Sequence, residues 1–151
     1  MPAAAPGRLQ HVLLAVDGSE SSAQAVRYLI GVRQDLRQPE TLDVHLVNVQ
    51  RPVSGDVSRF VAGEALKDYH LEGSERGLAP ARALLDAAGL KYQEHRRVGD
   101  PALQIAKIAE EKGCDLVVMG TRGLGIHTAG LIGSVAQATV AQCHVPVLLV
   151  K

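Results

Sequence analysis

With 151 residues the chain has room for one domain and one core. Lys+Arg and Asp+Glu balance at 16 each, aromatics make up 3% and Trp is missing, which excludes a global basic field for nucleic acid and a stacking platform for single strands. Apolar residues at 46% and charged residues at 21% describe a globular chain, and no apolar run reaches the ~20 residues of a membrane helix, so a soluble cytoplasmic protein is expected.

Residues 1–10 are rich in Ala, Pro and Gly and lack the apolar centre of a signal peptide. They read as a short tail, with 11–151 as a single domain. "HVLLAV" (11–16) is a continuous apolar run, the mark of a strand buried on both faces. It breaks at Asp17-Gly18-Ser19. Helical spacing follows at Ala23, Val26, Leu29, Ile30 and Leu36, with Ser19 or Asp17 available as N-cap. "DVHLVNV" (43–49) is a second strand. Between 50 and 74, Arg51-Pro52, Gly55, Gly63 and Gly73 interrupt the pattern, with a short helix expected near 62–70. A separate helix is expected from Glu75 to Ala88, stopped by Gly89.

"KYQEHRRV" (91–98) alternates but is highly charged. The segment 100–113 is a helix with Asp100 as cap, Pro101 at its first position and Gly113 at its end. "DLVVMG" (115–120) is a buried strand. A Gly-rich loop over 120–133 leads into a helix from Ser134 to about Gln142, and "VPVLLVK" (145–151) is the last strand.

This alternation with short connections predicts an α/β fold, an open five-stranded parallel sheet with helices on both faces. The apolar runs at 11–16 and 115–119 belong at its centre, and the charged run 91–98 suits an edge. Strand order 3-2-1-4-5 fits. In such a sheet ligands bind beyond the carboxyl ends of the strands where the winding reverses, here between strands 1 and 4. Asp17-Gly18-Ser19 and Gly120-Thr121-Arg122-Gly123 form the two lips of that crevice.

The longer loop, "MGTRGLGIHTAGLIGSV", carries glycines at 120, 123, 125, 130 and 133. Gly133-Ser134 opens a helix, whose first N–H groups have no partner within the helix and suit phosphate. Ser134 can cap that helix and still offer a hydroxyl. A Walker A loop fails because Leu131 stands at the lysine position, and GxGxxG fails because Thr128 takes the third glycine's place after Gly123-x-Gly125 and because the loop follows strand 4 instead of strand 1. Asp17 can serve as helix cap, as ligand contact, or as both. His127 can meet a phosphate or remain a solvated loop residue.

These residues resemble the universal stress protein family, and the resemblance covers nearly the whole chain. Gly120, Gly123, Gly133 and Ser134 match the Gly-x2-Gly-x9-Gly-(Ser/Thr) pattern of its ATP-binding members, supported by "VLLAVDGSESS", "VGDPALQIAKIAEEKGCDLVVMGTRG" and "VPVLLV". The resemblance implies a Rossmann-like fold of the adenine nucleotide alpha hydrolase type. It implies ATP as ligand, with Asp17 toward the ribose and adenosine side, backbone groups of Val49 at the adenine edge, and Met119 packed near the base. Gly120 and Gly123 would admit ribose and phosphates; Gly133, Ser134 and Val135 would hold phosphates at the helix start. Ala15 stands where some members have Pro. Basic residues in the x9 segment are sparse, with Arg122 and His127 nearby. Mg²⁺ or Mn²⁺ is expected to be held by the phosphates, and a homodimer through the last strand, residues 145–150, is expected from its uncharged, uncovered edge.

Outside the loop, Cys114 and Cys143 sit in no CxxC pattern and read as small buried residues. His11, His45, His70 and His95 stand at no metal-ligand spacing, and Cys143-His144 are adjacent residues pointing apart, so no metal site built by the chain itself is expected. Glu110-Glu111-Lys112 reads as a solvated helix face. The leading functional reading is an ATP-dependent stress-response switch or binding module. The alternatives are a slow ATPase or phosphotransferase, for which the loop places no second carboxylate, Gln or Lys by motif, and a structural interaction protein that binds no nucleotide.

Overall fold

Five parallel strands form one sheet in the order β3-β2-β1-β4-β5 in a computed structural model that describes residues 9–58, 62–123 and 131–151. In chain order the elements are β1 (His11–Ala15), α1 (Glu20–Gln34), a single 3-10 turn (Pro39–Thr41), β2 (Asp43–Gln50), a four-residue helix α2 (Gly55–Ser58), α3 (Gly63–Ala87), β3 (Gln93–Val98), α4 (Pro101–Glu111), β4 (Leu116–Gly120), α5 (Ser134–Gln142) and β5 (Val147–Val150). The predicted strand order and fold class are those observed. The fold is Rossmann-like, with α1 and α3 on one face and α4 and α5 on the other. No helix among the described residues is long and apolar enough to cross a membrane.

The central strands follow from their composition. Val12 and Leu14 point to the α1/α3 core, while Leu13 and Ala15 point to the α4/α5 core. Leu13, Leu14 and Leu46 are fully buried. Each such side chain contributes roughly 1.5–3 kcal/mol relative to exposure. Ser19 caps α1 by accepting the Ser22 N–H at 3.1 Å, and Asp100 caps α4 by accepting the Leu103 N–H at 3.0 Å, with Pro101 next in line.

The segment 62–88 departs from the expectation of two helices. It forms one helix, α3, through both Gly73 and Pro80. Gly73 does not break the helix; with Gly77 it makes room for β2. A Cβ on Gly73 would fall 2.3 Å from Gln50 Oε1, and one on Gly77 would fall 2.2 Å from Asn48 Nδ2. Both polar side chains are engaged there: Asn48 Nδ2 donates to the Val16 carbonyl at 2.9 Å, and Gln50 Nε2 donates to Asn48 Oδ1 at 2.7 Å. Packing thus offsets a helix-propensity cost of ~1 kcal/mol per glycine. Pro80 removes the N–H that would bond the Arg76 carbonyl. That carbonyl instead faces the turn after β1, where Gly18 has φ +86° and a Cβ would fall 2.8 Å from Arg76 O.

The charged edge strand β3 is tied to both helical layers. On one face Arg82 of α3 donates to Glu94 at 2.6 Å and to Glu75 at 3.0 Å, and Arg96 also bonds Glu75. On the other, Arg97 meets Glu111 of α4 at 3.0 Å. Hydrogen bonds from Arg82 are the main reason that the Glu75 and Glu94 carboxyls sit below their ordinary pKa. A carboxylate whose pKa is depressed on folding contributes stability that is fully present above its unfolded pKa and lost as pH falls through the folded one. Arg82→Met should therefore unfold at lower urea than the wild type at pH 7, and the difference should shrink as pH drops below the ordinary Glu value of 4.5. Urea titrations of both proteins on either side of that value check this; a gap that does not narrow contradicts it.

Candidate functional site

The carboxyl ends of β1, β2 and β4 and the amino end of α5 enclose a cavity of about 370 Å³. That lies within the ~300–1,000 Å³ typical of small-molecule sites. All eight residues singled out from the sequence line it: Asp17, Val49, Met119, Gly120, Gly123, Gly133, Ser134 and Val135. Ala15, Val47, Ile105 and Met119 are shared with the α4/α5 core and give it an apolar wall. Asp17, Ser22, Thr121, Arg122 and Ser134 supply polar groups.

The Asp17 lip is held by its own hydrogen bonds. Asp17 Oδ1 accepts from the Ser19 N–H at 2.9 Å and from Ser22 Oγ at 2.7 Å, while the Asp17 N–H donates to Ser22 Oγ at 3.0 Å. Oδ2 faces Gly123 across the crevice, 2.9 Å from where a Cβ there would sit. One Asp17 oxygen thus fixes the turn, and the other lies beside the cavity. Ser19, not Asp17, is the helix cap.

The opposite lip is built on close packing. A Cβ on Gly120 would fall 2.3 Å from Ser21 Oγ and 2.6 Å from the Ser21 carbonyl oxygen. Gly120 therefore lets β4 approach the start of α1, a requirement of the fold that exists whatever binds. The Arg122 N–H donates to Ser21 Oγ at 3.2 Å, and the Gly133 N–H donates to the Thr121 carbonyl at 2.7 Å. The second contact brings the two ends of the Gly-rich segment together. The intervening residues 124–130, with Gly125, His127 and Gly130, lie outside the described residues.

At the helix start, the structure corrects the expectation that Ser134 is the cap. Gly133 is the N-cap, with φ −64° and ψ 156°, and Ser134 is the first helical residue. A glycine cap has no side chain to satisfy the first-turn N–H groups, and Gln137 N–H is the first to bond Gly133 O, at 3.0 Å. Backbone donors of Ser134, Val135 and Ala136 have no acceptor within the helix and, among the described residues, stand at the cavity side of a nine-residue helix, with the positive end of its dipole. Sequence reasoning missed Arg51, which along the chain is only part of an Arg-Pro break. It directly follows β2 and lines the cavity, adding a second guanidinium to that of Arg122. Its place one residue beyond a strand's carboxyl end was the available signal.

A second constellation lies at the other end of the sheet. His11, His45 and His95, which show no ligand spacing along the chain, are brought together by strand pairing. His11 Nδ1 and His45 Nε2 both donate to Asp43 Oδ2, at 3.1 and 3.0 Å, and His45 Nδ1 shares a hydrogen bond with His95 Nε2 at 2.9 Å. Burial acts to raise the Asp43 pKa, but the hydrogen bonds and charge of His11 and His45 outweigh it and hold the carboxyl below its ordinary value. His70 is elsewhere, with Nε2 3.3 Å from the Arg51 carbonyl. Both cysteines are free; Cys114 is buried, and burial is the main cause that pushes its thiol up to about 12.

The comparisons agree with this architecture over its whole extent. The profile of the Universal stress protein family matches residues 8–151. Universal stress protein MJ0531 of Methanocaldococcus jannaschii is 32% identical over 146 residues, which cover 93% of this chain and 81% of that protein. The solved structure of MJ0577, from the same organism, has a TM-score of 0.77 at 26% identity, covering 94% of this chain and 95% of the other. A universal stress protein solved in complex with cAMP has a TM-score of 0.66 at 27% identity, covering 94% of this chain and 97% of its own. With the family profile running from just before β1 to the last residue, and the strand order and glycine spacing already in place, this chain belongs to the universal stress protein family.

Proposed function

We propose that this protein binds an adenine nucleotide, ATP foremost, between β1 and β4, and works as a nucleotide-dependent stress-response switch in the cytoplasm. The observation that carries the reading is the convergence of an apolar wall, the Asp17 carboxylate and the open amino end of α5 on one cavity. A flat base suits the wall beside Val49 and Met119, ribose hydroxyls suit an acceptor such as Asp17, and phosphates suit the donors at Ser134 and Val135. The relative solved with cAMP supports an adenine nucleotide as the ligand class. Two free thiols suit a reducing compartment.

Binding, rather than turnover, fits the lining. Hydrolysis needs a group that orients water and charge stabilisation at the γ-phosphate. Among the described lining residues the one carboxylate is Asp17, whose Oδ1 already accepts two hydrogen bonds. Mass spectrometry of the ligand released on denaturation of purified protein tests the reading directly: an adenine nucleotide is expected. Gly133→Val should weaken ATP binding at least tenfold, or ~1.4 kcal/mol, by placing a branched side chain where phosphate meets backbone. Calorimetry on the folded variant checks this, and unchanged affinity removes the phosphate assignment.

Mg²⁺ or Mn²⁺ should accompany the triphosphate, because Arg51, Arg122 and the helix dipole do not offset its full charge. Phosphate oxygens and water would hold the ion, with Ser134 or Asp17 acting through that water. Adding EDTA should therefore lower the ATP affinity; an unchanged value contradicts the metal.

We further propose a homodimer through β5. Among the described residues this strand pairs with β4 alone, its four side chains are half-buried, and its sequence is uncharged up to Lys151. Val140 on the neighbouring α5 is exposed as well. Antiparallel pairing with a second copy would satisfy the open edge and cover Val145, Val147 or Leu148. Val147→Lys or Leu149→Lys should shift the folded protein toward monomer in sedimentation, and a wild type that is monomeric at tens of micromolar excludes the interface.

A further inference from the structure

We propose that His11, Asp43 and His45 hold a divalent transition-metal cation of the zinc class at the amino-terminal end of the sheet, away from the nucleotide cavity. The site is independent of the nucleotide reading and uses none of its residues. Strand register builds it. His11 is the β1 partner of Asp43, and His45 follows two residues later on β2, so all three side chains emerge on the α4/α5 face. The Asp115 carboxylate fixes the start of β1 by accepting the N–H groups of Gln10 and His11, both at 2.8 Å.

The donor atoms lie close together. Asp43 Oδ2 is 3.1 Å from His11 Nδ1 and 3.0 Å from His45 Nε2, and the three ligand atoms all lie within 4.8 Å of one another. On a tetrahedral ion with bonds of about 2.0–2.1 Å, neighbouring ligands stand about 3.4 Å apart. The two edges of the observed triangle at Asp43 Oδ2 fall close to that spacing, and the third is no longer than 4.8 Å. The incoming ion takes the place of the protons that the two imidazoles now donate to Asp43.

The chemistry of the donors selects the ion. Two imidazoles and one carboxylate suit zinc, and also cobalt, nickel or copper, whereas magnesium and calcium prefer oxygen alone. His11 and Asp43 have side chains 42% and 39% exposed, so the ion has a path from solvent and water can complete its shell. His45 is buried at 3% exposure and needs an orienting partner. His95 supplies it: with Nε2 of His45 on the metal, the His45 proton sits on Nδ1 and donates to His95 Nε2, 2.9 Å away. A purely structural hydrogen-bond chain would account for His45, whose two nitrogens are already satisfied. It gives no reason for the half-exposed His11 to converge on the same carboxylate oxygen.

The test uses the untagged full-length protein, freed of nucleotide, titrated with zinc alone against a chromophoric chelator. One ion per chain is expected. His11→Gln and Asp43→Asn should each lower the affinity at least tenfold, and His95→Gln, which removes an orienting group, should lower it about 10–100-fold. Cobalt in place of zinc should give a visible ligand-field band that His11→Gln abolishes. Circular dichroism reports whether each variant is folded, and His11, at the surface, keeps the test open if changes at His45 prevent folding. No zinc held at tens of micromolar, or zinc held equally by wild type and folded His11→Gln and Asp43→Asn, overturns the site.

Discussion

The path of the chain out of β1 is fixed by a closed ring of short hydrogen bonds, and most of the molecule is placed by it. Asp17 gives its N–H to Ser22 Oγ and receives the hydroxyl of the same serine on Oδ1, while Ser19 both donates to that oxygen and caps α1. Such a ring leaves α1 a single direction relative to the strand. That direction brings Ser21 against the end of β4, where only a residue without a side chain fits, and Ser21 Oγ then anchors the Arg122 N–H. One turn of helix thus sets both lips of the crevice. The same turn meets α3 at Gly18, in front of the carbonyl that Pro80 leaves without its helical donor.

The sheet separates two chemistries by its ends. At the carboxyl ends the groups on offer are backbone N–H donors, one carboxylate oxygen and two arginines beside an apolar wall. At the amino ends the groups are imidazoles around a carboxylate. The α4/α5 core lies between them, with Leu13, Val47 and Val117 buried along it. The two sets share no residue, so each end can be altered by substitution without rebuilding its counterpart.

Much of the fold was legible because the strongest signals were long and consistent. Apolar runs at 11–16 and 115–119 marked the centre, the charges of 91–98 marked an edge, and Asp100-Pro101 marked a helix start. The crevice followed from strand order, and the eight residues that the family resemblance placed there line one cavity. What escaped was everything decided by contact rather than pattern. Gly73 and Pro80 look like interruptions, because nothing local reveals that Gln50 needs the space or that Gly18 awaits the freed carbonyl. Ser134 looks like a cap because serine favours that role, whereas the chain enters the helix one residue earlier. The histidines lie on three strands, and their meeting depends on register, which spacing along the chain does not encode.

The position of β1 in the sheet also governs the order in which the chain can be completed during synthesis. Its neighbour β2 follows within the next few dozen residues, but its other neighbour is β4, and Asp115, which secures the first N–H groups of the strand, lies 104 and 105 residues downstream. Until that part of the chain has left the ribosome, "HVLLA" has one flank exposed, at the centre of the future core. Long-range pairing of this kind folds slowly and exposes apolar edges on the way. A nascent universal stress protein of this design is therefore most vulnerable to aggregation late in its own translation, and the cell's holding chaperones have their greatest opportunity at that stage.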